Sequence, residues 1–84
     1  MNFRVEFSRR AFDFLKTLDT PLRERVTAKL KEFDETPFPR GRRKLKGGVD
    51  VYRLRVGKIR ILYRVLWSER TIVVFKIAPR ETVY

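Results

Sequence analysis

Arg53, Arg55, Arg60 and Arg64 are spaced so that strand geometry would gather them on one surface. The stretch 50–64, DVYRLRVGKIRILYR, alternates with period two: Tyr52, Leu54 and Val56 flank Arg53 and Arg55, while Ile59, Ile61 and Tyr63 interleave with Arg60, Leu62 and Arg64. Between the runs stand only Gly57 and Lys58, and glycine at the first central position suits a two-residue type II′ hairpin. That loop fixes the register, with Val56 opposite Ile59, Arg55 opposite Arg60, Leu54 opposite Ile61 and Arg53 opposite Leu62. Two arginines directly opposite one another destabilise a sheet by about 0.2–1 kcal/mol. No acidic side chain on this face offsets them, so it reads as a polyanion site rather than as a solvated sheet surface. Guanidinium forks meet phosphate oxygens two at a time and stay charged at physiological pH.

Guanidinium groups and a tyrosine, without metal-ligand clusters or a glycine-rich phosphate loop, suit phosphoryl transfer on RNA. There the ribose 2′-hydroxyl is itself the nucleophile, and the protein need only align it, neutralise the phosphate and protonate the leaving oxygen. Arginine is a poor proton carrier, because its pKa lies above about 12. The chain contains neither histidine nor cysteine, which removes histidine acid–base chemistry, Cys–His and Ser–His nucleophiles, the usual zinc sites and any disulfide. Neither a metal nor a cofactor is expected.

The elements that must hold this face follow from the rest of the pattern. Phe3, Val5 and Phe7 alternate with Arg4 and Glu6 as a short first strand. Ser8 is placed to cap a helix over residues 9–18, with Ala11, Phe12, Leu15 and Leu18 as its stripe, and Asp19 ends it. Thr20-Pro21 opens a second helix with Leu22, Val26, Leu30 and Phe33 inward, which stops before Pro37 because pre-proline Thr36 disfavours helix.

Residues 36–49, TPFPRGRRKLKGGV, read as a connection too rich in Pro and Gly for a core element, anchored by Leu45. Arg40, Arg42, Arg43, Lys44 and Lys46 within it are candidate phosphate contacts beside the arginine ribbon, as is Arg64. After Trp67, a turn at 68–70 leads into an apolar strand at 71–78. A three-residue loop would place Val73, Phe75 and Ile77 on the core face and Lys76 and Arg80 on the arginine side. A two-residue loop would bury Lys76, so the first register is expected.

The fold expected is α+β, in the order β-α-α-β-β-β, with a helical hairpin packed on one face of a largely antiparallel four-stranded sheet. Its 84 residues allow one domain, 1–84. A formal charge of +11, from 21 Lys and Arg against 10 Asp and Glu, points to nucleic acid or an acidic protein as partner. A membrane is not expected, since the chain has no long apolar run and no signal-peptide pattern. A cytoplasmic location follows as the default. Glutamine is absent and asparagine occurs only at position 2, a depletion of heat-labile residues found in proteins from hot environments.

The segments KLKG at 44–47, VYRLRVGKIRILYRV at 51–65, VVFKI at 73–77 and Arg80-Glu81-Thr82-Val83-Tyr84 together resemble, in order and spacing, the RelE toxin family of toxin–antitoxin systems, across nearly the whole chain. The resemblance implies a ribosome-dependent endoribonuclease that cuts mRNA in the A site through the 2′-hydroxyl and leaves a cyclic phosphate. Its partners would be a cognate RelB-like antitoxin, in a hetero-oligomer, together with ribosome and mRNA. By position the family's catalytic set falls on Arg53, Arg55, Arg60, Arg80 and Tyr84, with Arg60 and Arg80 on phosphate and leaving group and Tyr84 stacked on a codon base. Well-known members have lysine where this chain has Arg53 and Arg55, and arginine accepts a proton less readily, which leaves the identity of the base open. Glu81 and Tyr84 are the other nearby candidates. The alternatives are a ParE-like toxin acting on DNA gyrase, and a basic nucleic-acid-binding module without catalysis.

Overall fold

The structure, a computed structural model, describes residues 3–45 and 50–79. It runs β1 (Arg4–Phe7), α1 (Arg9–Thr17), α2 (Thr20–Leu30), a 3-10 turn (Lys31–Asp34), β2 (Arg42–Lys44), β3 (Val51–Val56), β4 (Ile59–Leu66), a second 3-10 turn (Trp67–Glu69) and β5 (Thr71–Pro79). The strands form one sheet in the order β1-β5-β4-β3-β2, with β1 parallel to β5 and every other pair antiparallel. Both helices lie on one face of it, which makes the α+β architecture that the patterning predicts, with one strand more.

The helix starts follow from side-chain caps. Ser8 Oγ accepts from the Ala11 amide at 3.1 Å and opens α1. Asp19, not Thr20, caps α2: its carboxylate accepts from the Leu22 amide at 3.0 Å, and Thr20 and Pro21 are the first helical residues. The first helix has already ended at Thr17, with Leu18 as its C-cap, so Asp19 serves the second helix alone. In α1 and its C-cap the inward residues are Ala11, Phe14, Leu15 and Leu18, whereas Phe12 is exposed, edge-on to Phe7 at 6.4 Å and with Lys16 Nζ 5.0 Å from its ring centre. From α2 and the turn after it, Val26, Leu30 and Phe33 bury against the sheet. Facing them, Tyr52, Leu54, Val56, Ile59, Ile61 and Tyr63 form the apolar side of the β3-β4 ribbon, all in the core. Fully burying one such side chain contributes about 1.5–3 kcal/mol, so this face holds the helices to the sheet.

The segment before β2 packs more closely than its composition implies. Pro37 and Pro39 are buried, and the Tyr63 hydroxyl donates to the Pro37 carbonyl at 2.7 Å. Phe38 stands edge-on to Tyr52 at 5.4 Å and tilted against Trp67 at 5.7 Å. The Arg42 amide then donates back to the Pro39 carbonyl at 3.3 Å, closing a tight turn with Gly41 at φ +95° in its third place, where a side chain would be strained. What reads as an unpaired connection therefore supplies core contacts and a fifth strand, β2, at the sheet edge beside β3.

Burial pushes the Tyr63 phenol well above its ordinary pKa, with the neighbouring Tyr52 adding to the shift and Arg42 opposing it. Tyr52 and Tyr63 stack at 5.5 Å, and Phe33 meets Tyr63 at 4.7 Å. This aromatic layer lies directly behind the arginine face.

Candidate nucleic-acid interface

The hairpin forms in the predicted register, with Arg55 opposite Arg60 and Arg53 opposite Leu62. Gly57 sits at φ +57° and Lys58 does not share the positive sign, which fits glycine leading a type II′ turn. Arg53, Arg55, Arg60 and Arg64 consequently occupy the sheet face turned away from the helices. Arg55 and Arg64 are exposed, whereas Arg53 and Arg60 are half-buried with their Nε atoms enclosed. On the same face Val51 at 8%, Leu62 at 9% and Ala78 at 6% exposure are buried. Half the arginines are therefore seated in a partly dry surface rather than waving in solvent, and their charge acts at lower dielectric than a solvated pair would.

The fifth strand divides the basic run of the connection. Arg43 pairs with Arg53 and so joins the arginine face, but Arg42 pairs with Leu54 and Lys44 with Tyr52, which puts both on the helix side of the sheet edge. Arg42 lies over the Phe38 ring at 5.6 Å. Arg40 is exposed in the turn before β2. The candidate contacts Arg40, Arg42, Arg43 and Lys44 are thus not gathered on one surface, because alternation in a strand sends neighbours to opposite faces.

Neither predicted register of β5 is found. Thr71 pairs with Leu66, and Ile72 and Val74 face the core while Val73 and Phe75 do not. Between Val74 opposite Tyr63 and Lys76 opposite Leu62, Phe75 is an extra residue, a β-bulge that switches the alternation, so Ile77 returns to the core and Lys76 joins the arginine face after all. Val73 and Phe75, freed from the core, line a groove of about 240 Å³ with Arg64 and Leu66. Sequence reasoning misses this apolar groove beside the basic cluster, because its signal depends on the bulge.

Across β2 to β5 the described residues of this face carry six cations, Arg43, Arg53, Arg55, Arg60, Arg64 and Lys76, and no carboxylate. Acidic charge returns only on β1, where Glu6 pairs with Arg4 at 3.4 Å. Such a surface can bind phosphate groups and stabilise added negative charge on them. Among the described residues no group of three acidic side chains is placed to hold a metal ion, and no helix is long and apolar enough to cross a membrane. Lys46, Arg80, Glu81 and Tyr84 lie outside the described residues.

Comparison with known proteins places this geometry in a family. Residues 5–84 match the family described as the ParE toxin of type II toxin–antitoxin systems. A Methanocaldococcus jannaschii protein designated RelE1, and named as a toxin, is 36% identical over 87 residues, spanning 100% of this chain and 97% of its own length. Among solved structures, the archaeal RelE–RelB complex from Pyrococcus horikoshii superposes with a TM-score of 0.86 at 28% identity, covering 99% of this chain and 100% of that one. The toxin of the intact E. coli RelBE complex does so with a TM-score of 0.81 at 28% identity, covering 95% and 99%. The chain belongs to the RelE/ParE family and is a toxin of a type II toxin–antitoxin system, on the RelE side of that family by its relatives.

Proposed function

We propose that this toxin is a ribosome-dependent mRNA endoribonuclease that cuts in the A site, and that the arginine face is where the scissile phosphate lies. The observation that carries the reading is Arg55 directly opposite Arg60, with Arg53 and Lys76 in the neighbouring row and no acid among them. Sheet stability alone disfavours that pairing. In the reaction the 2′-oxygen attacks the adjacent phosphorus in line with the departing 5′-oxygen, leaving a 2′,3′-cyclic phosphate. Arg60, with Arg80, stabilises the charge that gathers on phosphate and leaving oxygen, while Arg53 and Arg55 orient the backbone and Tyr84 stacks on a codon base. Arg43 and Arg64, flanking this row, guide the strand across the sheet.

The family's RelE–RelB complexes support a RelB-like antitoxin as partner, in a hetero-oligomer. Cytoplasmic action follows from a ribosomal target.

Induced expression followed by primer extension on a translated message should reveal new ends within codons, with DNA supercoiling unchanged. Arg60→Ala should melt close to the wild type yet cut roughly 10²- to 10³-fold more slowly, by analogy with loss of one oxyanion donor. Intact message together with inhibited gyrase would instead favour the ParE-like alternative.

A further inference from the structure

We propose that Lys76 is the group that takes the proton from the attacking 2′-hydroxyl. The inference rests on the cleavage reading above and supplies the step that an arginine surface cannot perform. Arg53 and Arg55 stand where a lysine pair would offer a base, and a guanidinium does not release its proton near neutrality. Among the described residues of this face Lys76 is the one lysine, since Lys44 lies on the helix side and Lys58 at the hairpin tip. Lysine differs from arginine here, because an amine in its neutral form is how lysine serves as a general base elsewhere.

The fold goes out of its way to bring Lys76 there. Continued alternation from Val74, a core residue, would send Lys76 into the core and Ile77 outward; the bulge at Phe75 reverses both. It is a fixed feature rather than a slip of pairing. The Phe75 carbonyl accepts from Ser8 Oγ at 3.1 Å, the Ser8 amide donates to the Val74 carbonyl at 2.9 Å, and the same Ser8 caps α1. Lys76, half-buried, then lies opposite Leu62 and diagonal to Arg60 on one side and Arg64 on the other, with Arg53 one strand further in the same row. Diagonal neighbours sit about 7–8 Å apart at the backbone, within reach of long side chains. Arg43 and Arg55 complete the charged groups of β2 to β5 facing this side, and on β1 Glu6 is paired with Arg4. The helices lie on the opposite face of the sheet.

In the step itself, neutral Nζ of Lys76 accepts the 2′-hydroxyl proton as the O2′–P bond forms. The P–O5′ bond breaks with its electron pair on the 5′-oxygen, which takes a proton from water, and the Lys76 ammonium returns its proton to solvent. The products are a 2′,3′-cyclic phosphate and a 5′-hydroxyl, and no further reactant is needed.

The test is single-turnover cleavage of message on programmed ribosomes by purified wild type, Lys76→Arg, Lys76→Met and Arg60→Ala across pH, with melting temperature and ribosome affinity measured on the same preparations. Lys76→Arg keeps the charge; it should melt and bind like the wild type, cut about 10²- to 10⁴-fold more slowly, and lack the rise of rate with pH expected of the wild type. Lys76→Met should be equally slow. If Lys76→Arg cuts within about threefold of wild type with an unchanged pH profile, Lys76 is not the base, and if only Lys76→Met is impaired it supplies charge alone. Either result overturns the proposal. Should Arg60→Ala, too, cut as fast as wild type, the cleavage reading itself fails; a slow Arg60→Ala beside a normal Lys76→Arg confines the failure to Lys76.

Discussion

Tyr63 ties the segment before β2 to the core. Its ring is fully buried between Tyr52 and Phe33, and its hydroxyl donates to the Pro37 carbonyl at 2.7 Å, which helps to pin the segment that leads to β2. Because burial raises the phenol's folded-state pKa above its unfolded value of about 10, the protonated form is favoured by folding. The sign follows from linkage: that stability is complete below about pH 10 and is lost as pH climbs towards the folded value. Melts from pH 8 to pH 11 should show wild-type stability falling above pH 10, with a shallower fall for Tyr63→Phe. At neutral pH the variant should be less stable by about 1–3 kcal/mol, since a buried carbonyl loses its partner. Equal alkaline slopes in both proteins would assign the loss to other groups. Nothing in the alternation of residues 59–65 announces this role; period two shows that Tyr63 points inward, but not that its hydroxyl finds a proline carbonyl 26 positions away.

At the scale of elements, legibility tracked how local the determining interaction is. The β3-β4 register was readable because two residues, Gly57 and Lys58, fix it, and both helices because their caps lie within three residues of what they cap. The Asp19 and Thr20 ambiguity is of the same local kind, as either oxygen suits an N-cap. β5 was not readable. Its bulge is held by Ser8, 67 positions distant, and an extra residue leaves no trace in a run that is apolar on both sides. β2 is three residues of Arg and Lys, without an apolar alternation to betray it. The bulge makes a sharp prediction. Deleting Phe75 would regularise the alternation while leaving Val74, Lys76 and Ile77 on their present faces, so the protein should fold with stability within about 1 kcal/mol of wild type. Deleting Val73 instead would turn Thr71 and Ile72 to the wrong sides. With apolar side chains such as Ile72 worth about 1.5–3 kcal/mol apiece when buried, that chain should not fold. Circular dichroism and thermal melts on both deletions separate these cases, and a folded Val73 deletion beside an unfolded Phe75 deletion would contradict the register.

Over the described part of the molecule, charge is distributed unevenly. The ion pairs Arg4–Glu6, Arg9–Asp13, Lys16–Asp13 and Lys29–Glu32 sit on β1 and the helices, at 3.4 to 3.7 Å and mostly exposed, where each contributes about 0–1 kcal/mol. Most acids among the described residues lie on the helical layer, and positive charge dominates the other side of the sheet and its β2 edge. A partner of opposite charge should be drawn to this surface from a distance, with association accelerated at low salt. The groove of Leu66, Val73 and Phe75 beside Arg64 offers apolar contact once it arrives. Binding of the cognate antitoxin should therefore divide by salt: between about 0.05 and 0.5 M, a range over which the Debye length, about 10 Å at 0.1 M, shrinks roughly threefold, the association rate should drop steeply while dissociation changes little. Stopped-flow or surface-based kinetics on the purified pair measure both rates directly. Arg55→Ala and Arg64→Ala, at exposed positions, should flatten the salt dependence of association. An association rate indifferent to salt in the wild type would place the antitoxin on the helical layer, away from the basic face.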